Sequence, residues 1–139
     1  MHVSRLAEKK GSDMLVDIIP TILNKYPNAY FIIGGDGPKM QLLKNLVAKH
    51  RLHNRVELLG AVPHEQVRHV LNRGQIFLNT SLTETFCMSN LEAASCGLIC
   101  VSTDVGGIPE VLPPGIAYLA KPDAQELIEQ LEIAISQID

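Results

Sequence analysis

Apolar runs of four to six residues alternate along this chain with stretches of helical periodicity. Ala29–Ile33 is one run and ends in Gly34-Gly35; Val56–Leu59 ends in Gly60; Gln75–Thr80, Leu98–Ser102 and Ile116–Leu119 follow. Short β-rich runs with little polar interruption are expected of strands buried on both faces of a parallel sheet. The intervening segments repeat apolar residues every three or four positions. Met14, Leu15, Ile18, Ile19, Ile22 and Leu23 form the first such stripe, with Pro20 inside it, where it should kink the helix or remove one backbone bond. Leu42, Leu43, Leu46 and Val47 form a second, with Pro38 placed for its first turn. Val67, Val70 and Leu71 mark a third, and Phe86–Cys96, stopped by Gly97, a fourth. Asp123 and Glu126 make a capping-box-like start to the last, whose face is Leu127, Leu131, Ala134 and Ile138.

This alternation predicts an α/β fold with a Rossmann-like, doubly wound parallel sheet. With 139 residues the chain is one domain, 1–139. Only His2, Val3 and Ser4 precede Arg5, room for the end of a strand but not its start. The expectation is a piece of a longer protein, lacking the start of its first strand.

Composition narrows the function classes. Twelve Lys and Arg against fifteen Asp and Glu give a net charge of −3, without the basic surplus that backbone-driven nucleic-acid binding needs. The longest stretch free of Asp, Glu, Lys and Arg, Ala93–Thr103, has eleven residues, whereas a spanning helix needs about 20. A soluble domain is expected. Cys87, Cys96 and Cys100 are odd in number and lack paired zinc-ligand spacing, so they read as small buried side chains in a reducing compartment. His64 and His69 are five apart, not the four that place two histidines on one helix face for zinc, and no Asp-x-Asp pair exists to hold a metal–diphosphate.

In doubly wound sheets ligands bind beyond the carboxyl ends of the strands. The residues to weigh are therefore those at each strand exit. Gly34-Gly35-Asp36-Gly37-Pro38 lies between a strand and a helix, where glycines let a ligand approach the backbone; it is neither a dinucleotide fingerprint nor a phosphate loop, and a plain turn is an equal reading. Arg5 and Lys10 are cations able to reach a diphosphate, or members of a solvated loop together with Lys9. Glu84 and Glu92 are eight residues apart, about 12 Å along a helix. That is too long for a glycosidase carboxylate pair, at roughly 5–9.5 Å. It suits opposite ends of a nucleoside diphosphate sugar, one carboxylate on sugar hydroxyls and one on ribose. The alternative is a dipole-favoured N-terminal Glu and a surface Glu.

Taken in order, Ser4-Arg5-Leu6 with Lys10-Gly11, Gly34–Pro38, Glu84-x₇-Glu92-Ala93 and Gly106-Gly107-Ile108-Pro109-Glu110 resemble the C-terminal half of retaining glycosyltransferases of the two-Rossmann-domain (GT-B) type. Phe77–Glu84, Phe86-Cys87-Met88, Glu92–Leu98 and Val105–Pro113 resemble more narrowly the family of phosphatidylinositol N-acetylglucosaminyltransferase catalytic subunits, from which Ser89-Asn90 departs in polarity. The resemblance implies transfer of N-acetylglucosamine from UDP-N-acetylglucosamine to phosphatidylinositol, the first step of GPI-anchor synthesis. It implies that Arg5 and Lys10 hold the diphosphate, Glu84 the donor sugar and Glu92 the ribose. The amides of Thr85, Phe86, Cys87 and Met88 would take phosphate, while Gly35, Gly37 and Ala61 flank the base. No metal is implied, since Arg, Lys and a helix N-terminus can meet the leaving-group charge. It further implies membrane subunits as partners, the cytoplasmic face of the endoplasmic reticulum as location, and an N-terminal acceptor domain without which this half is inactive. Another retaining GT-B enzyme with a different sugar or acceptor, and a non-catalytic nucleotide-binding module, are the alternatives.

Overall fold

The computed structural model of the protein describes residues 1–4, 6, 10–82, 88–105 and 117–138. Strands β1 (His2–Val3), β2 (Phe31–Gly34), β3 (Val56–Gly60), β4 (Ile76–Asn79), β5 (Ile99–Thr103) and β6 (Ala117–Ala120) alternate with helices α1 (Ser12–Lys25), α2 (Met40–Lys49), α3 (Val67–Leu71), α4 (Met88–Ser95) and α5 (Ala124–Ser136). A 3₁₀ turn, His64–Gln66, leads into α3.

The strands form two parallel three-stranded sheets, β1-β2-β3 and β4-β5-β6. Their inner edges meet at Met1: its nitrogen donates to Ile76 O at 3.0 Å, and Leu78 N donates to Met1 O at 2.8 Å. Read across this seam the order is 3-2-1-4-5-6, that of the Rossmann fold, with the topological switch between β1 and β4. The expected doubly wound fold is the fold observed.

Side chains that alternate along each strand feed two cores, as the period of two requires. Phe31, Ile33, Leu78 and Val101 pack with Leu15, Ile18, Ile19 and Ile22 of α1, Leu43 and Leu46 of α2, and Leu127 and Leu131 of α5. Ile32, Phe77 and Cys100 turn the other way and pack with Leu71 of α3 and Ala93 of α4. Both sheet faces are covered, which is why the strands read as unbroken apolar runs.

One local expectation holds and two need adjustment. Helix α1 includes Pro20, whose missing N–H removes one backbone bond, and Thr21 Oγ1 donates to Asp17 O at 2.8 Å in the same stretch. Five buried apolar residues on both sides of the proline hold the helix to the sheet. Pro38 precedes α2 rather than entering it, because the cap is Lys39 and the helix starts at Met40. Ile138 lies beyond the end of α5, and Ile128 joins the buried face instead. The cap of α5 is as expected: Asp123 Oδ2 accepts from Glu126 N at 3.1 Å. No helix among the described residues is long and apolar enough to cross a membrane.

Candidate functional site

Backbone bonds lace the exits of β1, β2 and β3 together. Ser4 N donates to Gly34 O at 3.0 Å, Gly35 N to Gly60 O at 2.7 Å and Leu6 N to Asp36 O at 3.0 Å. Lys39 N then donates to Leu6 O at 2.9 Å. Gly35 has φ +130°, and a Cβ there would overlap the Ser4 carbonyl oxygen. Only glycine permits the two loops to approach this closely.

The laced loops form one wall of an open cleft of about 830 Å³, a volume usual for small-molecule sites. Ser4, Gly35, Asp36 and Gly37 line it, with Ala61 and Val62 from the β3 exit, His64 from the 3₁₀ turn and Glu92 from α4. Glu92 is half-buried and stands on the fifth residue of α4, reaching the cleft from the half of the sheet that β4 begins. The cleft therefore straddles the switch point, where doubly wound sheets bind ligands.

Among the described lining residues the charged groups are Asp36 and Glu92, both carboxylates. Such a wall suits ribose or sugar hydroxyls, which donate to carboxylates, and not the phosphates themselves. A diphosphate needs cations elsewhere on the rim. Lys10, half-buried in the turn before α1, is the candidate the structure describes. Its carbonyl oxygen accepts from Thr80 Oγ1 at 2.6 Å, which fixes the turn to the exit of β4.

Of the residues singled out in the sequence, Gly35, Gly37, Ala61 and Glu92 share the cleft, and Lys10 sits beside the β4 exit. Met88 opens α4. Arg5, Glu84, Thr85, Phe86 and Cys87 lie outside the described residues, as do Gly106–Glu110.

Two groups escaped sequence reasoning. His64, weighed in the sequence only against zinc ligation, is exposed at the start of the 3₁₀ turn and lines the cleft; its position four residues after the end of β3 was the available signal. His2 read as strand filler. Its buried ring holds Leu78 O at Nδ1 (2.9 Å) and Ser4 Oγ at Nε2 (2.8 Å). A carbonyl only accepts, so Nδ1 carries the proton, and the neutral ring takes the Ser4 hydroxyl proton at Nε2. Burial drives its pKa down to about 4, against the opposing bond to Leu78 O. No local sequence pattern announces a ring bridging residues 76 apart.

The fold and the cleft at its switch point define a Rossmann-type domain, and the sequence profile described as "Glycosyl transferases group 1" matches residues 1–137; the chain belongs to that family. A phosphatidylinositol N-acetylglucosaminyltransferase subunit from Homo sapiens is 57% identical over 136 residues, covering 98% of this chain and 28% of the relative. The protein of the same name from Arabidopsis thaliana is 56% identical over 134 residues, covering 96% of this chain and 30% of the relative. This chain thus spans less than a third of the length of either relative. Among solved structures, Anabaena HepE in complex with UDP superposes with a TM-score of 0.84 at 26% identity, over 98% of this chain and 38% of that one. The resemblance carried by the motifs is thus a resemblance over nearly the whole chain.

Proposed function

We propose that this chain is the donor-binding, C-terminal half of the active site of a retaining glycosyltransferase. The reaction is transfer of N-acetylglucosamine from UDP-N-acetylglucosamine to phosphatidylinositol, which begins GPI-anchor synthesis. The observation that carries this reading is the 56–57% identity to two relatives named for that activity, over almost all of the chain. The cleft at the switch point supports it independently, as does the likeness to a UDP-bound structure.

In this reading Glu92 takes the ribose hydroxyls, and Gly35, Gly37 and Ala61 flank the base. Lys10 and Arg5 hold the diphosphate and stabilise its charge as the sugar–phosphate bond breaks. The amides of Thr85, Phe86, Cys87 and Met88 add helix N-terminal donors, and Glu84 holds the donor sugar. Positive charge and fixed N–H groups then supply the leaving-group stabilisation without a metal. The acceptor is held by a facing N-terminal domain, in a complex with membrane subunits on the cytoplasmic face of the endoplasmic reticulum. Alone, this half binds donor and transfers nothing, because closing the facing domain supplies alignment that can reach about 7–11 kcal/mol of the barrier.

Thermal shift and calorimetric titration test the reading. UDP at millimolar concentration should raise the melting temperature of this chain, equally with magnesium or with a chelator. Nicotinamide dinucleotides should not. In the intact enzyme, Arg5→Ala and Lys10→Ala should weaken UDP much more than uridine, and Lys9→Ala should change little. A magnesium-dependent shift, or sugar transfer by this chain alone, would overturn the metal-free, half-site reading.

A further inference from the structure

The turn that carries Lys10 is bonded to a residue at the exit of β4. Thr80 is fully buried immediately after β4, and its hydroxyl donates to the Lys10 carbonyl oxygen at 2.6 Å, seventy residues away in sequence. The next residue, Gly11, caps α1 with φ +69°, and a Cβ on it would overlap the Thr80 carbonyl oxygen. The hydroxyl of Thr80 thus bonds one residue of the turn, and its carbonyl lies close against the next.

Thr80 itself has little freedom. Asn79 pairs in register with Ser102 of β5, and Asn79 Oδ1 accepts from Ser81 N at 2.9 Å. Buried Thr103 donates from Oγ1 to Ser81 O at 2.6 Å. Residues on either side of Thr80 are therefore bonded into the sheet, while Lys10 belongs to a loop. A rigid element holding a loop cation is the arrangement that pre-organises a binding group.

We propose that Thr80 is a positioning residue for donor diphosphate binding: its hydroxyl fixes the main chain of Lys10 at the exit of β4, from which the segment bearing Glu84 departs. This rests on the reading of Lys10 as a diphosphate ligand. It assigns Thr80 no contact with the donor. Its effect should therefore appear on the charged part of the ligand and vanish for the base and ribose.

Thr80→Val tests this in the intact enzyme. Valine keeps the shape but puts a methyl where the hydroxyl lies, and a methyl keeps about 3.3–3.6 Å from a carbonyl oxygen. The turn must move outward. Titration with UDP and with uridine should show UDP weakened about tenfold and uridine by less than about twofold. Thr80→Ser, which retains the hydroxyl, should bind both as the parent does. Thr80→Ala carries the same comparison should the valine variant fail to fold.

Equal weakening of UDP and uridine would overturn the proposal in favour of a purely structural role. So would unchanged UDP binding, or a serine variant as impaired as the valine one. Lys10→Ala separates the two levels. If it splits UDP from uridine and Thr80→Val does not, positioning by Thr80 fails alone. If Lys10→Ala splits nothing, the reading of Lys10 falls and the proposal with it.

Discussion

The imidazole of His2 reaches from β1 to β4, its Nδ1 at 2.9 Å from the carbonyl oxygen of Leu78. It adds a side-chain bond to the seam beside the bonds of Met1 to Ile76 and Leu78. Folding keeps this ring neutral, with its pKa moved from about 6.5 to about 4, chiefly by burial. The unfolded chain binds a proton below about 6.5 that the folded chain refuses until about 4, so stability is full above pH 6.5 and falls as the pH drops through that window. The contribution amounts to about 3 kcal/mol. Urea unfolding of the parent and of His2→Asn, which cannot titrate, should show their stability difference shift by that order between pH 6.5 and 4. A difference constant over the window would show that His2 does not titrate as described.

Ser12 opens α1 fully buried, and its Oγ finds no hydrogen-bond partner among the described residues. A buried hydroxyl without a partner costs about 1–3 kcal/mol. Ser12→Ala removes that cost and leaves only a small gap, so it should stabilise by about 1 kcal/mol, a rise of roughly 3–4 °C in Tm. An unchanged or lower Tm would mean that the hydroxyl is satisfied in solution.

Arg55 donates to three carbonyls where α1 ends: Leu23 O at 2.8 Å, Tyr26 O at 2.7 Å and Ala29 O at 3.0 Å. The planar guanidinium serves all three at once, which an ammonium on a shorter, differently shaped head does not. Arg55→Ala should destabilise by about 2–4 kcal/mol, and Arg55→Lys should recover less than half of the loss. Full recovery by lysine in chemical denaturation would make charge, not fork geometry, the cause.

The two carboxylates should act on different parts of one donor. Glu92→Ala should weaken UDP about tenfold, the worth of hydrogen bonds to a charged group. Glu84→Gln in the intact enzyme should lower transfer far more than it weakens UDP. Equal effects of both variants on UDP affinity would remove the division of roles.

The sheet was legible because its strands are covered on both faces, so that β2 and β5 read as apolar runs whatever side each residue faces. The α5 cap was legible because Asp123 and Glu126 are three residues apart, within the reach of local chemistry. Helix α1 was legible across Pro20 because its apolar stripe continues on both sides, and packing of that stripe on the sheet outweighs the lost backbone bond. In the cleft, Gly35, Gly37 and Ala61 followed from the rule that strand exits bind ligands, and Glu92 from its spacing to Glu84. Thr80 and His2 were silent for one reason. Their partners lie seventy or more residues away, and periodicity carries no information at that separation.

The strand order has a kinetic side. Pairing within β1-β2-β3 and within β4-β5-β6 joins segments consecutive in the chain, whereas the seam joins Met1 to Ile76, 75 residues on. Closing that longer loop adds only about 1 kcal/mol of entropy over a single crossover, since the cost grows with the logarithm of length. Non-local pairing nevertheless slows folding. The two halves also share one core, in which Leu15, Ile19 and Phe31 pack with Leu78, Val101 and Leu127, so neither half buries its apolar face without the other. The cleft spans that seam, so Glu92 faces Gly35 and Gly37 only while the two halves are docked, and whatever loosens the seam opens the cleft.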